Sequence, residues 1–155
     1  MAFLLTSPDF KDGETIPSRH LKTGDNLSPQ LEWTDPPEGT RSYVLLMEDV
    51  TAAGHGHRHW AIYDIPHDRR HLAPGRSSAA HTEDLPHAVN DFGEARYDGP
   101  KPHAGEPEHS YRFRLAALDI DELPILDDTP DAATVWDQAR DHIIAEAGIM
   151  GTAKA

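Results

Sequence analysis

The chain has 155 residues, with 14 lysines and arginines against 27 aspartates and glutamates, and it contains no cysteine. Its formal net charge of −13 opposes binding to nucleic acids and to anionic membrane surfaces, because their phosphates would be repelled. The length suits a single domain over residues 1–155, and no apolar run approaches the roughly 18 residues of a membrane span.

The N-terminal sequence MAFLLTSPDF lacks the basic region and the longer apolar stretch of a secretory signal peptide. The absence of cysteine fits a reducing compartment, where disulfides are rare. We therefore expect a soluble cytoplasmic protein with no stable membrane association and no nucleic-acid partner.

Four segments predict β-strands, because each is a short apolar or alternating run that ends near a turn residue. In chain order they are 29–34 (PQLEWT), 42–49 (SYVLLMED), 59–65 (HWAIYDI) and 110–119 (SYRFRLAALD). In the last of these, Tyr111, Phe113 and Leu115 share one face of the strand. Thirteen prolines and eleven glycines predict many turns between the strands.

One helix is predicted near the C-terminus. Thr129 suits the N-cap and Pro130 the first helical position, where a missing N–H does no harm. An apolar stripe at helical spacing continues to Gly148, which suits the end of the helix. The stripe consists of Val135, Trp136, Ala139, Ile143 and Ala147. Strands first and a helix late predict a mainly β domain with antiparallel pairing rather than a βαβ fold.

Most of the eleven histidines lie between positions 55 and 109. In an extended segment, the sequence HGHRH would place His55, His57 and His59 on one face, as in metal sites that use imidazole ligands. The alternative is a flexible loop with solvated imidazoles, which the neighbouring Gly54 and Gly56 favour.

Three predicted strands carry polar side chains at or near their ends. Asp49 ends one strand, His59 begins another, and His109 precedes a third, in which Tyr111 faces the same side as His109. If these strands are neighbours, one carboxylate, two imidazoles and a phenol form a single polar pocket. The alternative for His59 is a structural histidine that only ends its strand.

Five segments together resemble the phosphatidylethanolamine-binding proteins, specifically their bacterial and archaeal branch, which is called Raf-kinase-inhibitor-like. The resemblance covers nearly the whole chain in the family's order. The segments are SPDFKDGETIP, GDNLSPQLEWTDPPEGTRSYVLLMED, HWAIYDIP, NDFGEARYDGPKPHAGEPEHSYRFRLAALD and DHIIAEAGIMGT.

This resemblance implies a β fold of two antiparallel sheets with a C-terminal helix, and a small pocket that accepts anions such as phosphate or a phospho-headgroup. Carried over by motif, the pocket falls on Asp49, His59, His109 and Tyr111. A bordering loop contributes Tyr97, Gly99, Pro100 and Gly105. No cofactor and no metal ligand are implied.

The chain departs from the family pattern in two loops. Where the family usually has Asp-Pro-Asp-Ala-Pro, this chain has Asp49-Val50-Thr51-Ala52-Ala53. That loop is expected to be less rigid, and the pocket to carry one negative charge fewer. In the second loop a Pro-Pro pair becomes Pro102-His103, which adds an imidazole near the rim. Ligand preference is therefore expected to differ from the family's.

The leading hypothesis is a binding protein for a small anionic ligand, modulating a protein partner such as a kinase by analogy with eukaryotic relatives. Imidazoles and a phenol can donate hydrogen bonds to phosphate oxygens, and a carboxylate beside them can hold the imidazoles protonated.

Two alternatives stay open. One is a phosphoester-acting or metal-dependent enzyme that uses Asp49, His59 and His109 as acid–base groups. The sequence contains no nucleophile elbow, no P-loop and no cysteine, so we expect no enzymatic activity. The other is a protein-interaction or inhibitor domain without a ligand. The bacterial relatives suggest a homodimer.

Overall fold

The computed structural model describes residues 2–51, 57–78 and 85–155. Within these residues the chain forms seven strands, one α-helix and a short 3₁₀ turn at Ser18–His20. In chain order the elements are β1 (Leu4–Thr6), β2 (Leu31–Thr34), β3 (Ser42–Asp49), β4 (His57–Pro66), β5 (His71–Leu72), β6 (His109–Leu118), α1 (Ala132–Arg140) and β7 (Ile143–Ala153).

The strands form two antiparallel sheets, and the prediction of a mainly β fold with two such sheets and a helix near the C-terminus is confirmed. The smaller sheet has the order β1-β2-β5 and the larger one the order β4-β3-β6-β7. The four predicted strands are all present, with boundaries shifted by no more than two residues.

Strand β3 lies inside the larger sheet and is buried on both faces, which explains its unbroken apolar sequence. Tyr43, Leu45 and Met47 pack into the core between the sheets. Val44 and Leu46 face the other way and pack with α1. Burying each large apolar side chain stabilises the folded state by about 1.5–3 kcal/mol, so this strand contributes strongly to the stability of the domain.

Helix α1 begins two residues later than predicted. Its N-cap is Asp131, whose side chain accepts a 2.8 Å hydrogen bond from the Thr134 backbone N–H. Pro130 lies before the helix because its carbonyl accepts from Val89 N–H, and Val89 in turn accepts from Ala132. This pairing holds the backbone extended up to Asp131, so neither Thr129 nor Pro130 has its predicted role.

The predicted continuation of the helix to Gly148 is wrong, because residues 143–153 form β7. Ile143 pairs with Leu118, and Ala147 pairs with Leu115 of β6. Buried and more exposed positions alternate through most of β7, which is strand periodicity. The stripe read at helical spacing therefore combines a helix that ends at Arg140 with a strand that follows it.

Trp60 is fully buried in the core between the sheets, as its predicted strand requires. Its ring meets the rings of Tyr97 and Phe113 at centroid distances of 5.1 and 6.5 Å. In the described part of the chain, no helix has the length and hydrophobicity needed to cross a bilayer.

Candidate ligand-binding site

Strand register brings the predicted polar groups to one end of the larger sheet. Asp49, the last residue of β3, lies opposite His57 of β4 on one side and Tyr111 of β6 on the other. His109 is two residues before Tyr111 and therefore shares its face. Residues far apart in sequence thus meet because β3 pairs with both neighbours.

A β-bulge in β4 directs His59 toward this group. Met47 pairs with Trp60 and Glu48 with Arg58, so His59 has no partner residue on β3. Strict alternation would send His59 and the core residue Trp60 to opposite faces, whereas a bulge re-aims the extra residue. The His59 ring accordingly lies 5.4 Å from the Tyr111 ring, between centroids.

These side chains line one cavity of about 240 Å³, which we call the strand-end cavity. Its lining residues are Asp49, His57, His59, Phe92, Lys101, His103, His109 and Tyr111. Four of the predicted site residues, Asp49, His59, His109 and Tyr111, are therefore brought together. His103 lies on the lining as expected from its place in the second loop.

Asp49 and His109 form a close pair inside the cavity. The Asp49 Oδ2 atom accepts a hydrogen bond of 2.7 Å from His109 Nδ1, and Oδ1 accepts one of 2.9 Å from Thr51 N–H. The Thr51 hydroxyl accepts a hydrogen bond of 2.7 Å from the Ser110 N–H, which links the loop after β3 to β6. Thr51 therefore makes a structural hydrogen bond at a position where the resemblance implies a carboxylate.

His59 is held in one tautomer. Its Nδ1 lies 2.9 Å from the Asp98 carbonyl oxygen and 3.1 Å from that of Gly99, so Nδ1 carries a proton and donates it. Burial lowers the pKa of His59, an effect only partly offset by these two carbonyls. The expectation that the nearby carboxylate holds this imidazole protonated is therefore not met at neutral pH.

A buried carboxylate behind the cavity fixes the loop that supplies these carbonyls. The side chain of Asp98 is fully buried and accepts hydrogen bonds of 2.8–3.2 Å from four side chains. The donors are Lys22, Asn26, Asn90 and Arg96. Burial alone would raise the pKa of Asp98, but these donors hold it below its usual value.

Tyr111 keeps its phenolic proton throughout the physiological range. Burial raises its pKa, and the negative charge of Asp49 raises it further. A protonated phenol can donate to an oxyanion. Tyr111 therefore serves as a neutral donor in the cavity.

The other four predicted residues do not line the cavity. Tyr97 is buried behind it and donates to the His20 carbonyl at 2.7 Å. Gly99 contributes its carbonyl to His59, and Pro100 accepts from the backbone N–H of Lys22. Gly105 is exposed, with a φ of +85° in the rim loop, where it permits the turn. These residues shape the site from behind or beside it.

Sequence reasoning missed Phe92 and Lys101 as lining residues and misjudged His57. His57 belongs to β4 and packs on Phe92, with ring centroids 4.6 Å apart, so the loop alternative is wrong for this residue. The period-two spacing that puts His57 on one face with His59 in an extended segment was the correct signal for this residue. His55 lies outside the described residues. Within the described ranges, no group of three or more histidine or carboxylate side chains is arranged to hold a metal ion.

Comparison with known proteins identifies the family of the chain. The sequence model of the phosphatidylethanolamine-binding protein family matches residues 6–154, and the chain belongs to that family. It is 37% identical to YbhB of Escherichia coli (strain K12) over 153 residues, covering 94% of this chain and 96% of YbhB. It is 36% identical over 151 residues to a UPF0098 protein of Aquifex aeolicus (strain VF5), covering 96% and 86%.

The fold is also similar to a solved structure. The crystal structure of Escherichia coli YbcL, described as a new member of the mammalian PEBP family, superposes with a TM-score of 0.92 at 29% identity. The match covers 100% of this chain and 99% of YbcL. The resemblance read from the sequence motifs is therefore confirmed at the level of family and fold.

Proposed function

We propose that this protein binds a small anionic ligand, of the phosphate or phospho-headgroup type, in the strand-end cavity. The observation that carries the proposal is the convergence of Asp49, His59, His109 and Tyr111 from three strand ends on one small cavity. Lys101 adds a positive charge at the lining. The name of the family, which refers to phosphatidylethanolamine, supports the same ligand chemistry.

Calorimetric titration with phosphoethanolamine tests this function. Affinity is expected to rise as the pH falls from about 7.5 to about 5.5, because a phosphate monoester takes up a proton in this range and the complex retains that proton. His59→Ala and His109→Ala should each flatten this dependence. His71→Ala is the control, because His71 is exposed and lies on the smaller sheet. Undetectable binding at every pH contradicts the proposal.

A phosphoester-acting enzyme is the second candidate, favoured by the Asp49–His109 pair at 2.7 Å, which has the geometry of an acid–base dyad. We propose binding rather than catalysis, because the described lining residues include no serine, threonine or cysteine, and Asp49 and His109, which could act as nucleophiles, are hydrogen-bonded to each other. If the wild-type chain released phosphate steadily from phosphoesters and Asp49→Asn abolished this release, catalysis would be favoured over binding.

The proposal also covers the cellular setting of the protein. We place the protein in the cytoplasm, since a chain without cysteine needs no oxidising compartment to fold. We also propose a protein partner whose activity depends on whether the cavity holds a ligand, and a kinase is the first class of partner to test. We further propose that the protein is a homodimer. A domain that binds only protein is the outcome if no phosphate-bearing molecule binds.

A further inference from the structure

The tautomer of His59 has a consequence for the kind of anion that fits the strand-end cavity. Because Nδ1–H is donated to two backbone carbonyls, a neutral His59 presents the lone pair of Nε2 on the other side of its ring. His59 is only 3% exposed and lines the cavity, and among the described residues its hydrogen bonds are made by Nδ1. The cavity therefore offers Nε2 as an acceptor that a ligand can reach.

The charged groups around His59 strengthen this bias toward ligands that donate a proton. The carboxylate of Asp49 interacts electrostatically with His59 and is paired with His109, and Glu106 Oε2 lies 3.6 Å from His109 Nε2. The groups that face His59 directly are the imidazole of His57 and the rings of Phe92 and Tyr111. The other basic side chains of the lining, those of Lys101 and His103, belong to exposed positions on the loop before β6.

We propose, on the basis of the proposed function, that the strand-end cavity selects a phosphate monoester in its monoanionic form. The P–O–H group of this ligand donates a hydrogen bond to His59 Nε2. The remaining phosphate oxygens accept hydrogen bonds from Tyr111 and from Lys101. A sulfate ester of the same size and charge has no proton to donate. Its oxygen would face the lone pair of Nε2 unless His59 were first protonated.

Protonating His59 to admit a sulfate ester is unfavourable, because burial disfavours the imidazolium. A site built to accept a hydrogen bond rejects an analogue that lacks the donor, since the acceptor is then left unpaired against the ligand. This reasoning assigns His59 the role of a specificity determinant in addition to its contact with the ligand.

Methyl phosphate and methyl sulfate test this inference in the wild-type protein. At about pH 5.5 both carry close to one negative charge, since the second pKa of a phosphate monoester is about 6, and they differ in the single O–H. Calorimetric titration is expected to show methyl phosphate binding at least about tenfold more tightly. The preference should persist at about pH 6.5, where the complex takes up the proton that the free ester has partly lost.

Three results decide between the possibilities. Equal affinity for the two esters overturns the inference and leaves the proposed function standing, because an imidazolium donor accepts either anion. Failure of both esters and of phosphoethanolamine to bind overturns the proposed function and this inference with it. His59→Gln, whose amide can donate as well as accept, should bring the ratio of affinities close to one, while His71→Ala should leave the ratio unchanged; an unchanged ratio in folded His59→Gln contradicts the role of His59.

Discussion

Replacing Asp98 by asparagine tests whether the buried carboxylate behind the cavity stabilises the domain. Asp98→Asn keeps the shape of the side chain but removes its charge and replaces one acceptor oxygen with an NH₂ group. Four donor side chains now point at Asp98, from Lys22, Asn26, Asn90 and Arg96. The new NH₂ group would therefore meet at least one donor instead of accepting from it.

The expected loss of stability is about 3 kcal/mol. Each hydrogen bond to a charged group contributes roughly 1.5–3 kcal/mol, and the four bonds to Asp98 do not add independently. The side chains of Lys22 and Arg96 are 24% and 27% exposed, so both recover part of their hydration when the charge is lost. For a chain of this length, about 3 kcal/mol lowers the melting temperature by roughly 6–12 °C.

A matched control separates this effect from the loss of any aspartate. Asp121 accepts two hydrogen bonds from Arg41, of 2.6 and 2.9 Å, but its side chain is 63% exposed. Asp121→Asn should therefore cost less than about 1 kcal/mol. Thermal denaturation of both variants at pH 7 is the assay. Equal melting temperatures for Asp98→Asn and Asp121→Asn would refute the reasoning.

Three further predictions follow from burial. Trp60→Ala should cost about 3–5 kcal/mol in urea denaturation, because the ring is fully buried, and an unchanged midpoint would contradict this. Gly99→Ala should lower both stability and phosphate affinity, because its Cβ would lie 1.9 Å from the His20 carbonyl oxygen; wild-type affinity would show that the loop adjusts freely. The free energy of unfolding should fall as the pH drops below about 6.5, because burial lowers the pKa of His59 and of His20, and the unfolded chain then binds more protons; a flat profile between about pH 7 and pH 5 would refute this.

The site residues that the sequence predicts are those that lie on regular strands. Asp49, His109 and Tyr111 lie at strand ends whose apolar patterns are clear, so pairing of β3 with β6 brings them together. Position along the strand decides where the side chain points once the register is known. The direction of His59 could not be predicted this way, because it depends on a bulge that local sequence does not show.

The remaining residues of the site come from irregular segments. Phe92 and Asp98 lie between β5 and β6, where no periodicity marks a face, and their positions depend on partners distant in sequence, such as Lys22.

The predicted end of the helix was wrong for a related reason. Ile143 and Ala147 satisfy helical spacing from Val135, but pairing with β6 satisfies their backbone hydrogen bonds in a strand instead.

The net negative charge of the protein opposes the binding of an anion in the cavity. A protein with a net charge of −13 repels anions, and the cavity itself contains the carboxylate of Asp49. Under the proposed function, a dianion would be repelled by both, whereas a protonated monoanion carries less charge and would supply a hydrogen to His59 Nε2. The carbonyls that set the His59 tautomer belong to Asp98 and Gly99, and the side chain of Asp98 anchors this loop through its buried hydrogen bonds. The same network that stabilises the fold therefore determines which nitrogen of the imidazole faces the cavity.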